Sequence, residues 1–394
     1  MNVLMAHNRY QNRAGEDRSF DAESSLLEQY GTTVIRYIQD NKKITGESKL
    51  KLALRTIWSQ QDYKAVRKII KEEKIDVLHV QNHFPLISPS IYYAANDEGI
   101  PVVQSLRNYR LFCLNAYLFR EGKVCENCLA QPIPWLGVYR KCYRDSLSAS
   151  FVLNSSLIFH RLLKTYQKKV DLFIALTEFA KKKYSENGIP KEKIVLKPNF
   201  VSAASADVAK TYSGAIFVGR LSSEKGITTL LEAWKILGSS IPLRIVGAGP
   251  LEEEVRKAVS QWPGIEYFGL GSAEEVKDIM CNAEALIFPS LWYEGMPRVI
   301  VEAFSVGTPV ISSNLGAMST MITHKVNGLH FTAGDANSLI EQVRWMRRNV
   351  DRWMFMRKAA RQQFERHYSA HNNYQALIEI YNRALQNKRD NSSS

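Results

Sequence analysis

Residues 217–234 read FVGRLSSEKGITTLLEAW. An apolar run over 215–218 meets Gly219, cations and hydroxyls follow, and an amphipathic stretch opens at Ile227. The order is strand, glycine turn, helix. Gly219 lets the backbone turn tightly. Arg220 and Lys225 sit on a loop that feeds a helix. The first amides of a helix lack intrahelical acceptors and its dipole favours an anion, so this placement suits a phosphate or diphosphate. A surface loop with two solvated cations accounts for the same residues.

The unit recurs along the chain. IVGAGPLEEEV (245–255) is another strand, glycine and helix, with Gly247 in the turn and Pro250 at a first helical position. A Gly-x-Gly turn is weak evidence alone, since close packing of helix on strand needs the same residues. Apolar runs are expected as strands at 2–6, 33–37, 77–80, 102–106, 172–176 and 194–197. A second set lies at 215–218, 243–246, 265–268, 285–288, 309–312 and 328–331. Amphipathic stretches such as 63–73, 227–237 and 251–260 separate them. Strands alternating with helices imply parallel sheets covered on both faces. The pattern breaks at KPNFVSAASADVAKTYSG (197–214), which reads as a linker. The expected class is therefore α/β, with two facing Rossmann-like doubly wound domains, 1–200 and 206–368, and a cleft between them. Ligands in such sheets bind beyond the carboxyl ends of strands.

Composition agrees with a soluble globular chain: 394 residues, 45% hydrophobic, 23% charged. No segment approaches the roughly 18 uninterrupted apolar residues of a membrane span. The apolar run at the N-terminus is too short for a signal peptide and reads as a first strand. The expected location is cytoplasmic, with five reduced cysteines. Residues 1–200 hold 31 Lys and Arg against 20 Asp and Glu, whereas 201–394 hold 21 against 19. A basic half beside a near-neutral half suggests an anionic partner, either lipid headgroups or a phosphorylated substrate. Solvated lysines, as at 181–183, explain it as well.

YEGMPRVIVEAF (293–304) carries two acids eight positions apart. Gly295, Met296 and Pro297 open a helix after the strand ALIF, and the free amides there form an anion site. Glu302 is expected to face inward among Ile300, Val301, Ala303 and Phe304. A buried carboxylate must be hydrogen-bonded or paired, and a ribose diol offers two donors. Glu294, on the loop before the helix, is placed to accept from sugar hydroxyls. Alternatively Glu302 pairs with Arg298 one turn earlier and Glu294 is a simple acid at a helix N-terminus.

The Glu-x7-Glu stretch EGMPRVIVEAFSVGTPVISSNLGA, together with VGRLSSEKG and VGAGP, resembles the donor-binding half of family 4 retaining glycosyltransferases of the GT-B fold. SPSIYYAA, PVVQSLRNYR and LTEFAKKKY extend the resemblance along the chain. It implies a transfer from a nucleotide-diphosphate sugar to a lipid-linked saccharide acceptor in bacterial surface polysaccharide synthesis. By motif, Arg220 and Lys225 resemble the pair that holds the donor diphosphate. Glu302 resembles the acid that holds the ribose, and Glu294 the acid on the transferred sugar. The Gly295 and Met296 amides would line sugar and phosphate, with Phe268 and Leu270 near the base. The terminal helix over 369–388 would cross back to the first domain, followed by a disordered tail. No Asp-x-Asp occurs, so no catalytic metal is expected, with cations and a helix N-terminus neutralising the diphosphate.

On the acceptor side, Gly15 lets the first loop approach the donor. Relatives commonly carry His where this chain has Arg107, and a second His in place of Gln81. Arg107 stands as a catalytic candidate that donates a hydrogen bond or adds charge near the leaving phosphate; it cannot act as a base. Pairing with Glu16 or Asp17 is the structural alternative. Cys113, Cys125, Cys128 and Cys142 fall within an insertion at about 110–145, and Cys-x2-Cys on a turn points two sulfurs at one place. A structural zinc held by all four is one reading; buried reduced thiols are the other. The helical stretch 146–171 either lays an apolar face on lipid, with Arg161, Lys164, Lys168 and Lys169 at the headgroups, or is a core helix with a basic end. The lipid reading would add peripheral contact with the anionic inner face of the plasma membrane to the partners; the core-helix reading would not, and nucleic acid is not expected under either. A nucleotide-sugar epimerase, a phosphorylase, or a non-catalytic nucleotide-sugar binder on the same fold are the rival functions.

Overall fold

The computed structural model describes residues 1–11, 15–46, 48–202 and 212–392. The chain divides into two compact units. The first holds residues up to Leu118, then Cys125–Lys197, then the chain from Tyr374; the second holds Phe119–Val124 and Pro198–Asn373.

The first unit contains β1 (Asn2–Arg9), α1 (Gly15–Gln29), β2 (Thr33–Asp40), α2 (Lys49–Ile57), α3 (Gln60–Glu72), β3 (Val77–Asn82), α4 (Ser90–Asp97) and β4 (Val102–Leu106). Next along the chain, but counted with the second unit, is a two-residue-stranded hairpin, β5 (Phe119–Arg120) with β6 (Lys123–Val124). Then come α5 (Trp135–Tyr139), α6 (Leu147–Leu162), α7 (Thr165–Lys169), β7 (Leu172–Ala175), α8 (Glu178–Glu186) and β8 (Ile194–Leu196). Its sheet runs β2-β1-β3-β4-β7-β8, parallel throughout. β3 and β4 are buried at every position, their polar His79, Gln81, Asn82, Gln104 and Ser105 included, so neither strand alternates between a core face and a solvent face.

The second unit contains β9 (Ala215–Val218), α9 (Ile227–Leu237), β10 (Leu243–Val246), α10 (Glu252–Gln261), β11 (Ile265–Tyr267), α11 (Ala273–Asn282), β12 (Ala285–Phe288), α12 (Arg298–Ser305), β13 (Val310–Ser313), α13 (Met318–Met321) and β14 (Gly328–Phe331). α14 (Ala336–Arg348) and α15 (Val350–His367) follow. This sheet is β11-β10-β9-β12-β13-β14, again parallel. Its core gathers Phe217, Trp234, Ile245, Ile287 and Ile311.

The expected pair of doubly wound parallel sheets is therefore present. The final helix, α16 (Ala370–Ser392), starts at the end of the second unit; its Leu377, Ile380, Tyr381 and Ala384 pack with Val3, Met5 and Val77 in the core of the first. Contrary to the expectation of a disordered tail, the helix persists to Ser392. Gln386, Lys388 and Arg389 are good helix formers, and Gln386 donates to Asp390 one turn on at 2.8 Å. Of the expected linker, residues 203–211 lie outside the described residues.

Candidate functional site

In the second sheet β9, the first strand of its unit, lies between β10 and β12, so the winding reverses between β9 and β12. Loops leaving two adjacent strands at such a switch point diverge to opposite faces and leave a crevice at the carboxyl edge. The loop after β9 carries Gly219, Arg220 and Lys225; the loop after β12 carries Glu294, Gly295, Met296 and Pro297.

Backbone bonds sew these loops together. The Leu221 amide donates to the Ala248 carbonyl at 3.0 Å, Gly247 to Gly269 at 2.7 Å, and Leu291 to Glu224 at 2.8 Å. Glycine is required where they cross. Gly247 has φ +143°, and a Cβ on it would stand 1.8 Å from the Gly219 carbonyl oxygen. Gly226 has φ +74°, and a Cβ there would lie 1.9 Å from the Pro289 carbonyl oxygen. Gly226 and Gly247 are thus spent on loop-to-loop approach.

Lys225 and Glu294, 69 positions apart in sequence, meet in an ion pair of 2.6 Å. Glu294 is buried, and its Oε1 also accepts from Ser290 Oγ at 2.8 Å and Trp292 Nε1 at 2.7 Å. Among the described residues no donor reaches Oε2. The Lys225 ammonium lies 5.5 Å from the centroid of the Trp292 ring and 5.6 Å from that of Phe288, so its charge is held by aromatic faces as well. Arg220 is exposed. No described group accepts from the amides of Gly295 or Met296. Met296 is buried, its Sδ taking the Asn199 amide at 3.0 Å. Helix α12 begins at Arg298 with Pro297 as its cap residue, so proline stands just outside the helix rather than within it. Phe268 and Leu270 are exposed on the loop after β11.

Glu302 differs from expectation. Its side chain is 43% exposed and lies 3.9 Å from Arg298 at i−4, so it is not the inward carboxylate that its apolar neighbours suggested. On an eight-residue helix whose buried face is taken by Ile300, Val301, Ala303 and Phe304, position 302 falls at the rim.

Arg107 is placed by the first unit. It is buried, with Nη2 3.2 Å from Glu23 Oε1 and Nε bonded to Gln81 Oε1. Lys197, fully buried, donates to the same carboxylate oxygen at 2.6 Å. Burial alone would raise the Glu23 carboxyl, but Lys197 and Arg107 outweigh it and hold the carboxyl at about 2. His79 lies beside this group, and burial pushes it down to about 3. The partner of Arg107 is thus Glu23, not Glu16 or Asp17: Glu16 accepts from Asn108 at 2.9 Å and Asp17 bonds His7 at 2.8 Å. Gly15 is the first residue of α1, with open space where a Cβ would stand. Sequence reasoning missed Glu23, Lys197, Ser290 and Trp292. Lys197 directly after the apolar strand β8 was the available signal for the first pair; Ser290 and Trp292 carried none.

The four clustered cysteines are free thiols. Cys113 Sγ bonds Asn115 Oδ1 at 2.9 Å, and a Cβ on Gly137 would lie 3.6 Å from Cys128 Sγ. Burial first, then the neighbouring Cys113 and Cys142 thiols, push Cys128 up to about 11. Among the described residues no three His, Cys, Asp or Glu side chains stand in a metal-binding group. None of the described helices is long and apolar enough to cross a membrane.

Two adjoining family profiles match: Glycosyltransferase Family 4 over residues 44–205 and Glycosyl transferases group 1 over 203–363. The amylovoran biosynthesis glycosyltransferase AmsK of Erwinia amylovora is 27% identical over 229 residues, 54% of this chain and 56% of that protein. The O-antigen chain mannosyltransferase C of Escherichia coli is 28% identical over 177 residues, 44% of this chain and 47% of that one. The chain spans about half the length of these curated relatives. Among solved structures, a glycosyltransferase from Rickettsia africae superposes with TM-score 0.70 at 18% identity, covering 98% of this chain and 99% of that one. Anabaena HepE in complex with UDP superposes with TM-score 0.68 at 14% identity, covering 96% and 99%. With two profile matches spanning 44–363 and two parallel-sheet units, this chain belongs to the family 4 glycosyltransferases and has the GT-B fold.

Proposed function

We propose that the chain is a retaining glycosyltransferase that moves a sugar from a nucleotide-diphosphate donor to a lipid-linked saccharide in bacterial surface polysaccharide synthesis. The observation that carries this is the Lys225–Glu294 pair at the switch point, with Glu294 Oε2 left without a donor among the described residues. Three donors on Oε1 fix the carboxylate, so Oε2 is preorganised to accept from a hydroxyl of the transferred sugar. Arg220, Lys225 and the amides of Gly295 and Met296 take the diphosphate. As the glycosidic bond breaks, they stabilise the charge growing on the leaving oxygen, an effect of about 3–4 kcal/mol for one good donor. Glu302, at the rim of α12, takes the ribose hydroxyls, and Phe268 and Leu270 lie by the base. No metal is assigned to the diphosphate; Arg220, Lys225 and these amides offset its charge in this reading. No protein nucleophile is assigned either; attack proceeds on the face from which the phosphate departs.

Solved relatives bound to UDP and to UDP-glucose support a nucleotide-sugar donor, and relatives named for amylovoran and O-antigen synthesis support a polysaccharide product. The test is a melting-temperature screen of UDP, GDP, ADP and their sugar conjugates, in which a ligand that binds only the folded chain raises Tm. One nucleotide is expected to do so, and Arg220→Ala to lessen the shift. No shift with any nucleotide refutes the reading. Conversion of a donor sugar without acceptor would indicate an epimerase instead.

The proposal includes a structural zinc on Cys113, Cys125, Cys128 and Cys142, which needs the Cys113 thiol to turn from Asn115. Metal analysis of the purified chain is expected to give one zinc; five titratable thiols and no metal would refute it.

A further inference from the structure

Helix α6 is built inside out. Its buried positions are Ser150, Asn154, Ser156 and His160 beside Leu153 and Leu157. Its exposed positions include Leu147, Phe151, Phe159 and Leu162, the last 78% exposed. At 100° per residue, Leu147, Phe151, Ile158 and Leu162 fall within about 60° of one another. A helix whose surroundings were water would carry the reverse pattern. The apolar face does not stop at α6. The ring of Trp135 on α5 lies 6.4 Å from that of Phe151, and Tyr139, one turn on, is 82% exposed. On the other flank α2 packs beside α6 and presents Leu50 and Leu54, again one turn apart and exposed. Between α2 and α6 runs a groove of about 540 Å³, lined by Leu52, Ala53, Phe84 and Val152 together with Lys49 and Arg144.

Charge identifies the occupant. From Pro132 to Lys169 the sequence has seven Lys and Arg and a single acid, Asp145. Lys49, Lys51, Lys141 and Arg144 are exposed beside the apolar residues. Arg161 is not among the free cations, since it donates to the carbonyls of Gln131, Pro132 and Leu111. Apolar side chains ringed by cations, with exposed Trp and Tyr among them, fit the boundary between acyl chains and anionic headgroups. No described helix is long and apolar enough to span the bilayer, so the contact is with its surface.

We infer that the face formed by α2, α5 and α6 docks on an anionic lipid bilayer, with Leu50, Leu54, Leu147 and Phe151 entering the interface and the α2–α6 groove receiving an acyl chain. This goes beyond the transferase reading and does not depend on it, because the test uses no nucleotide.

The test is co-flotation of the full chain with vesicles of phosphatidylcholine alone or with about a third phosphatidylglycerol. The chain is expected to float with the anionic vesicles, with partitioning lowered at least tenfold on neutral ones and lowered by raised salt, since headgroup attraction is screened. The double variant Leu147→Glu, Phe151→Glu is expected to lose at least tenfold in partitioning while keeping the wild-type far-UV spectrum and melting temperature. A milder pair, Leu50→Ser and Leu54→Ser on the separate helix α2, is expected to lose partitioning too. Absence of flotation by the wild type, or equal flotation of all variants, overturns the inference. So does a wild-type dimer in vesicle-free solution that both pairs of substitutions dissolve, which would make the face a contact between copies.

Discussion

Glu23→Gln tests whether the first unit is held by a buried ion cluster in which Arg107 is a structural partner. The substitution keeps side-chain shape, so it leaves no cavity and isolates charge. Holding the carboxyl at about 2 instead of 4.5 corresponds to about 3 kcal/mol of preference for the ionised form. Removing it also strands Lys197, fully buried, and Arg107, 7% exposed, without their shared acceptor. Breaking a buried pair from one side costs about 3–5 kcal/mol, and the expected loss lies in that range. Hydrogen exchange followed by mass spectrometry reads the two units separately. Amides of β3 and β4 should exchange about 10²–10⁴-fold faster in the variant, while those of β9 and β12 keep their rates. The sign with pH follows from the lowered carboxyl. Its contribution is complete above 4.5 and disappears as pH falls through about 2, so the two proteins should differ fully at pH 7 and progressively less below 4.5. A second substitution, Lys197→Met, should recover part of the loss, since it removes one stranded cation. A change under tenfold in exchange would refute the cluster as an ionised unit and leave Arg107 a catalytic candidate.

Acid should unfold the first unit early. Burial lowers His79 and His83 to about 3 and His160 to about 4, so each binds its proton more readily in the unfolded chain. Stability is complete above about 6.5 and falls as pH drops toward 4, by at most roughly 4 kcal/mol per pH unit with three such sites; a flat exchange profile between pH 6.5 and 5 would contradict this. Asn154 is fully buried with neither amide atom hydrogen-bonded, so Asn154→Leu should raise stability by about 1–3 kcal/mol, read as a higher urea midpoint. Gly247→Ala should abolish nucleotide-induced Tm shifts, because its methyl would meet the Gly219 carbonyl; an unchanged shift would show that the loops part freely. Glu294→Gln should lower transfer about 10²-fold or more while leaving UDP binding near wild type, measured as kcat against the Tm shift with UDP; equal loss of both would assign Glu294 to holding Lys225 alone.

The sequence by itself determined the fold. Twelve apolar runs separated by amphipathic stretches admit few arrangements other than parallel sheets wrapped by helices, because strands buried on both faces are predominantly apolar rather than alternating. It also put Gly219, Lys225 and Glu294 on loops just after strands, the edge at which parallel sheets place their ligands. Tertiary structure alone decided the partners. Whether Glu302 was buried depended on how α12 rolls on its sheet, and a 3.6-residue period places a rim residue within a fraction of a turn of the core. Arg107 went to Glu23, 84 positions away, and Lys197 joined them from 174 positions away; nothing local records such separations. For α6 the apolar content was legible, but which side faced the protein was not. Periodicity fixes which residues share a face, and only packing decides where that face points.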